Sequence, residues 1–184
     1  MKSLIALLLI ATSAIIAAAQ DSQLKLSSLD HLATKATQSV DVNLDGRLIR
    51  LAAGVFDDSD EEERKIKKLI AGIKGVYVRN FEFESDGQYT PADVETIRAQ
   101  LRGPGWTRMV NVKSKREGDL EVYVLMNGDN VGGLTVLSSR LRELTVVNIV
   151  GPVDLDKLAE LEGRLGIPEL GIESPKAKPK NEDQ

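Results

Sequence analysis

The hexapeptide Asp41-Val42-Asn43-Leu44-Asp45-Gly46 places oxygen-bearing side chains at alternate positions ahead of a glycine. That is the opening half of a calcium-binding loop. In such a loop oxygen ligands recur every second residue, glycine permits the sharp turn, and an apolar residue, here Leu48, fills the eighth place. The twelfth place needs a bidentate acid, and here it is Ala52, flanked by Leu51 and Ala53. Asp41, Asn43 and Asp45 are therefore weak metal candidates that close only with a distant acid such as Asp57 or Asp58. A reading without an ion also fits: Val40, Val42 and Leu44 pack inward from an extended segment that ends at an Asp-Gly turn.

Nucleophilic and acid–base chemistry have less to work with. His31 is the only histidine, cysteine is absent, and no Gly-x-Ser-x-Gly elbow occurs. The carboxylate pairs Asp154 with Asp156 and Glu82 with Glu84 are accounted for by helix capping and by the solvent face of a strand. No catalytic residue and no cofactor is assigned. Asn148 stands apart because it interrupts the aliphatic run Leu144-Thr145-Val146-Val147-Asn148-Ile149-Val150. A buried amide has to find partners or it costs about 1–3 kcal/mol, so Asn148 marks a structural hydrogen bond or a ligand contact.

The elements that would position these residues follow from apolar periodicity. Leu29, Leu32, Ala33 and Ala36 after Ser28 repeat at helical spacing, as do Leu48, Leu51, Ala52 and Val55 after Asp45-Gly46. A third set, Ile66, Leu69, Ile70 and Ile73, follows Ser59 and Glu62, the pattern of a capping box. Acids in its first turn and lysines later suit the helix dipole. After Gly75 the period becomes two, with Tyr77, Arg79, Phe81 and Phe83 on one side and Val76 and Val78 on the other. Thr90-Pro91 opens a helix with the stripe Val94, Ile97 and Leu101, which Gly103-Pro104-Gly105 ends. Four branched-residue segments follow: 106–113, 120–126, 131–137 and 144–150. Short Gly-containing links make them antiparallel neighbours, and the last, apolar on both faces, reads as an interior strand. Asp154 then caps a helix to Glu162 carrying Leu155, Leu158 and Leu161.

The chain ends differ from this body. Lys2, the apolar stretch from Leu4 to Ala17 and the small residues Ala17-Ala18-Ala19 compose an export signal cleaved before Gln20. Residues 173–184, ESPKAKPKNEDQ, carry no large apolar residue and read as a disordered tail. Between them, 20–172 form one domain. A net charge of −4 and only 4% aromatic residues argue against a nucleic-acid partner, and zero cysteines leave no residue for a lipid anchor.

The segment from Leu144 to Leu158, with Gly151-Pro152-Val153-Asp154-Leu155 at its turn, resembles the closing strand and "DL" helix of an uncharacterised bacterial envelope family, domain of unknown function 4252. Gly72-Ile73-Lys74, Gly105-Trp106, Met109-Val110 and Val122-Tyr123 are similar to its middle section, so the resemblance spans roughly residues 26–170. It implies a fold and an envelope location rather than a chemistry. Many members of that family carry a lipobox cysteine that this chain lacks.

These readings predict an α+β domain with a mainly antiparallel sheet of about five strands, helices packed against it, and the order α-α-α-β-α-β-β-β-β-α. They predict an exported soluble protein, periplasmic or secreted, with no membrane span after signal removal. Its role is a non-catalytic binding or envelope-interaction module for an unknown protein or envelope component; the alternatives are a carboxylate hydrolase and a weak calcium binder. Mass spectrometry of the exported protein is expected to find Gln20 at or next to its amino terminus. An envelope-bound product that retains Met1 would refute free release.

Overall fold

Six extended segments are joined by hydrogen bonding into one sheet. In the computed structural model, which describes residues 22–154 (backbone alone at Glu62 and Leu69), a 3-10 helix Leu26–Thr34 precedes β1 (Gln38–Asp45), α1 (Gly46–Ala53) and α2 (Glu61–Ile70). Then come β2 (Gly75–Glu82), α3 (Pro91–Gln100), β3 (Trp106–Ser114), β4 (Gly118–Asn127), β5 (Asn130–Arg140) and β6 (Glu143–Val150). The sheet order is β1-β2-β6-β5-β4-β3, with every neighbouring pair antiparallel. The fold is α+β, as the periodicities imply.

Three expectations are corrected. The sheet has six strands rather than about five, because the extended segment Gln38–Asp45 pairs along its whole length with β2, from Gln38↔Glu82 to Asp45↔Gly75. The order therefore begins 3-10, β, α, α. The first helix is 3-10 rather than α because its buried residues Leu26, Leu29 and Leu32 recur every third position, the repeat that a 3-10 helix brings onto one side. Ala33, placed on the buried stripe by an α-helical reading, is exposed. At α2 the cap is Asp60, whose Oδ1 accepts from the Glu63 N–H at 3.0 Å, rather than Ser59. The export signal, the 154–162 helix beyond its first residue and the tail lie outside the described residues.

The two faces of the sheet carry different cores. On the first face, Phe81, Leu137, Leu144 and Val146 pack with the 3-10 helix leucines, with Val94 and Ile97 of α3 and with Leu101 just after it. Thr90 caps α3 in a capping box with Asp93, and Pro91 begins it. The second face is aliphatic. One cross-strand row consists entirely of valine: Val42, Val78, Val147, Val136, Val122 and Val110, one from each strand.

The register is adjusted at two points. A bulge at Met109 sets Arg108 opposite Tyr123 and Val110 opposite Val122, so residues that alternation would put on one side face opposite ways. At the β3–β4 turn Gly118 has φ +88°, and a Cβ there would lie 2.4 Å from the Ser139 carbonyl oxygen, so only glycine fits.

Burial magnitudes follow this arrangement. Phe81, 1% exposed, belongs to the core cluster that holds the 3-10 helix leucines and the α3 stripe, and Phe81→Ala is expected to cost about 3–5 kcal/mol in a urea titration through lost transfer energy and a cavity. Val55→Ala, at a residue 85% exposed, is expected to change stability by no more than about 0.5 kcal/mol in the same urea titration.

Candidate functional site

The calcium-loop residues fall on a strand and a helix cap. Asp41 and Asn43 point from β1 onto the first face, opposite Arg79 and Tyr77 of β2. Asp41 is bound by the Arg79 guanidinium, which also lies 3.6 Å from Asp30. Asp45 Oδ1 accepts from the Arg47 and Leu48 N–H groups at 2.8 and 2.9 Å, capping α1. Those bonds hold its carboxyl below the ordinary value. Among the described residues no group of three or more His, Asp or Glu side chains converges as a metal site.

His31 and Asn148 have defined partners. His31 Nε2 lies 3.0 Å from Asp93 Oδ1 and its Nδ1 lies 3.1 Å from the Ser28 carbonyl, so the ring bridges the 3-10 helix and α3. Asn148 is fully buried. Its Oδ1 accepts from the Leu24 N–H at 3.0 Å, and its Nδ2 donates to the Ser22 carbonyl at 3.0 Å and Thr135 Oγ1 at 3.1 Å. The amide thus ties the amino-terminal arm onto the middle of the sheet. Glu82 and Glu84 are exposed, as a solvent face requires.

A polar cluster that motif and spacing did not single out surrounds Glu121 on β4, which is 2% exposed. Arg98 of α3 donates Nε to its Oε1 at 2.7 Å, the Tyr123 hydroxyl donates to Oε2 at 2.6 Å, and Arg108 Nη1 lies 3.4 Å from Oε2. Burial pushes the Glu121 carboxyl up, but the bonds from Tyr123 and Arg98, with help from Arg108, outweigh it and hold the pKa below 4.5. A charge between Leu120 and Val122 was the one available sign. The arginines that answer it are 13 and 23 residues away in sequence.

The exposed apolar surface lies elsewhere. The Asp45 cap sets the phase of α1 so that Ile49 is buried while Leu48 and Leu51 turn outward, correcting the inward stripe that periodicity suggested. Leu44, Leu48, Leu51 and Val55 are 37, 46, 71 and 85% exposed and follow one another along the end of β1 and α1. This stripe adjoins an edge strand, since β1 has no described strand on its outer side. A stripe of large apolar side chains beside open backbone donors and acceptors is chemically suited to gripping another polypeptide.

The Glu121 cluster yields a signed pH dependence. Because the folded pKa lies below the unfolded one, the unfolded chain takes up the proton first. The stabilisation is full above pH 4.5 and is lost as pH falls below it. Glu121→Gln is expected to cost about 2–3 kcal/mol at pH 7, with the gap to the wild type narrowing in denaturant titrations as pH falls below 4.5. A gap independent of pH would contradict the ionised cluster.

No curated protein and no solved structure is significantly similar to the chain. The family model for the domain of unknown function DUF4252 matches residues 34–161, from the end of the 3-10 helix through all six strands. The chain therefore belongs to the DUF4252 family.

Proposed function

We propose that this protein is an exported, non-catalytic binding module of the cell envelope, released as a soluble domain, and that its contact surface is the apolar stripe Leu44, Leu48, Leu51 and Val55. The observation that carries the reading is that exposure, which rises along the stripe to 71% at Leu51 and 85% at Val55. Leaving such a row in water is unfavourable by about 25 cal/mol per Å2 of apolar surface, and contiguous exposed apolar residues on a folded domain mark contact sites. The amino-terminal signal pattern supports the export component, and no helix among the described residues is long and apolar enough to cross a membrane.

The charged groups favour binding over hydrolysis. A general acid needs a carboxyl held protonated towards neutral pH, whereas Asp45, Asp57, Asp93 and Glu121 are all moved the other way. At Asp57 the Ser59 N–H and hydroxyl stabilise the anion. At Asp93 burial opposes ionisation, but hydrogen bonds from Thr90 and the charge of His31 prevail.

A photo-crosslinking residue at position 51 in the exporting cell is expected to yield an adduct with a different envelope protein, and one at Lys113 on β3 to yield none. Leu48→Glu is expected to abolish the adduct while leaving the melting temperature within about 2 °C, since the site is exposed. Equal labelling at both positions, or adducts made only of this chain, would refute the reading.

A further inference from the structure

We propose that β1 is a self-association edge, and that two copies pair β1 to β1 antiparallel about a twofold axis at Val42, joining their sheets into one of twelve strands. The inference concerns the backbone edge of β1, takes only Leu44 from the stripe and leaves Leu48, Leu51 and Val55 to the partner, and so goes beyond the binding reading above.

The two ends of the sheet are guarded differently. Edge strands that must stay unpaired carry bulges, prolines or charged side chains, lysine above all. β3 has such devices, with its bulge at Met109 and Lys113 near its end. β1 contains no proline, lysine or arginine and runs eight residues in unbroken register with β2. Its two acids are committed within the chain, Asp41 to Arg79 and Asp45 to the α1 cap. The outer edge of β1 is therefore a regular ladder whose two acids already have partners within their own chain.

The side chains of β1 select a second copy and fix its register. A twofold axis normal to the sheet keeps each face continuous, so residues of equal parity must meet. Centring the axis on Asp41 sets Asp41 against its symmetry mate, and centring it on Asn43 sets Asp41 against Asp45 of the other copy twice. Like charges directly opposite are unfavourable. Centring it on Val42 removes both conflicts and retains seven pairs. Asp41 then faces the Asn43 amide, Val40 faces Leu44, and Val42 faces Val42. The cross-strand valine row ends at Val42 on this edge, so the same axis carries that row unbroken into the second sheet. Val40 and Val42 are half-buried and Leu44 is 37% exposed, so pairing covers apolar surface on the second face.

The absence of native cysteine gives a direct test on the purified mature protein. In the paired state the Val42 α-carbons approach to about 4.5–5.5 Å, within disulfide reach, whereas the two Asp41 residues are displaced along the strands beyond it. Mild oxidation is expected to cross-link Val42→Cys into dimers and to leave Asp41→Cys and Lys113→Cys monomeric. Sedimentation equilibrium is expected to give the dimer mass for wild type. Asn43→Asp, which sets an acid opposite Asp41 at two symmetry-related places without touching the core, is expected to raise the dimer Kd about tenfold. A wild-type monomer with no Val42→Cys cross-link would overturn the proposal. Cross-linking through Lys113→Cys instead would assign the interface to β3, and cross-linking through Asp41→Cys, or a dimer indifferent to Asn43→Asp, would overturn the register. A monomeric result leaves the α1 stripe and its partner unaffected, because the position 51 adduct is read separately.

Discussion

Strand register is the constraint from which the rest of this structure follows. Six strands contribute one valine each to a single row, and the neighbouring row on the opposite face reads Asn43, Tyr77, Asn148, Thr135, Tyr123 and Arg108. A slip of one residue in any strand would turn a valine to the polar side and a polar group to the aliphatic side. Because each strand is tested against two neighbours, the penalty for slipping β6 is met on both flanks. The bulge at Met109 belongs to the same scheme: it lets β3 supply Arg108 to one face and Val110 to the other where alternation alone would not.

On the first face the register is what places the polar partners. Asn148 sits at the centre of the sheet, and its amide converts an unfavourable buried group into the anchor for the arm at Ser22 and Leu24. Gln100 of α3 holds the next backbone group, accepting from the Lys25 N–H at 2.8 Å and donating to its carbonyl. Together they lay Leu26, Leu29 and Leu32 over Phe81 and Leu144. Glu121 secures the other side of α3 through Arg98. Among the described residues each buried polar side chain on this face is satisfied, so the network specifies the docking of helices onto sheet.

The outer features inherit their form from this centre. β1 lies at an edge because β2 takes its inner side and β6 takes the far side of β2. The connection 46–74, through α1 and α2, returns the chain to β2, and Gly46 starts α1 against the Lys74 carbonyl, where a Cβ would lie 3.1 Å from the oxygen. The phase of α1 is thereby fixed by the cap and the junction rather than by its own apolar stripe. That is why leucines spaced for burial end up facing solvent.

What the sequence by itself determined is local. Thr90-Pro91, the glycine turns at Gly118 and Gly128, the alternation of β2, the branched-residue runs of β3 to β6 and the antiparallel links are readable because each depends on residues within a few positions of one another. The α+β class follows from them. β1 was legible only as an extended segment, since three aliphatic residues among polar ones do not reveal that a partner strand lies waiting at 75–82. The 3-10 character of the first helix hinged on Leu26, whose burial depends on the sheet beneath it. Only the tertiary structure decided that Asp41 and Asp45 serve an arginine and a helix cap, that Glu121 meets arginines from two other elements, and that the stripe on α1 faces outward. Apart from the Asp45 cap, whose N–H partners lie two and three residues on, these depend on residues far apart in the chain. No spacing rule encodes them, because the geometry that creates them is the register of the sheet.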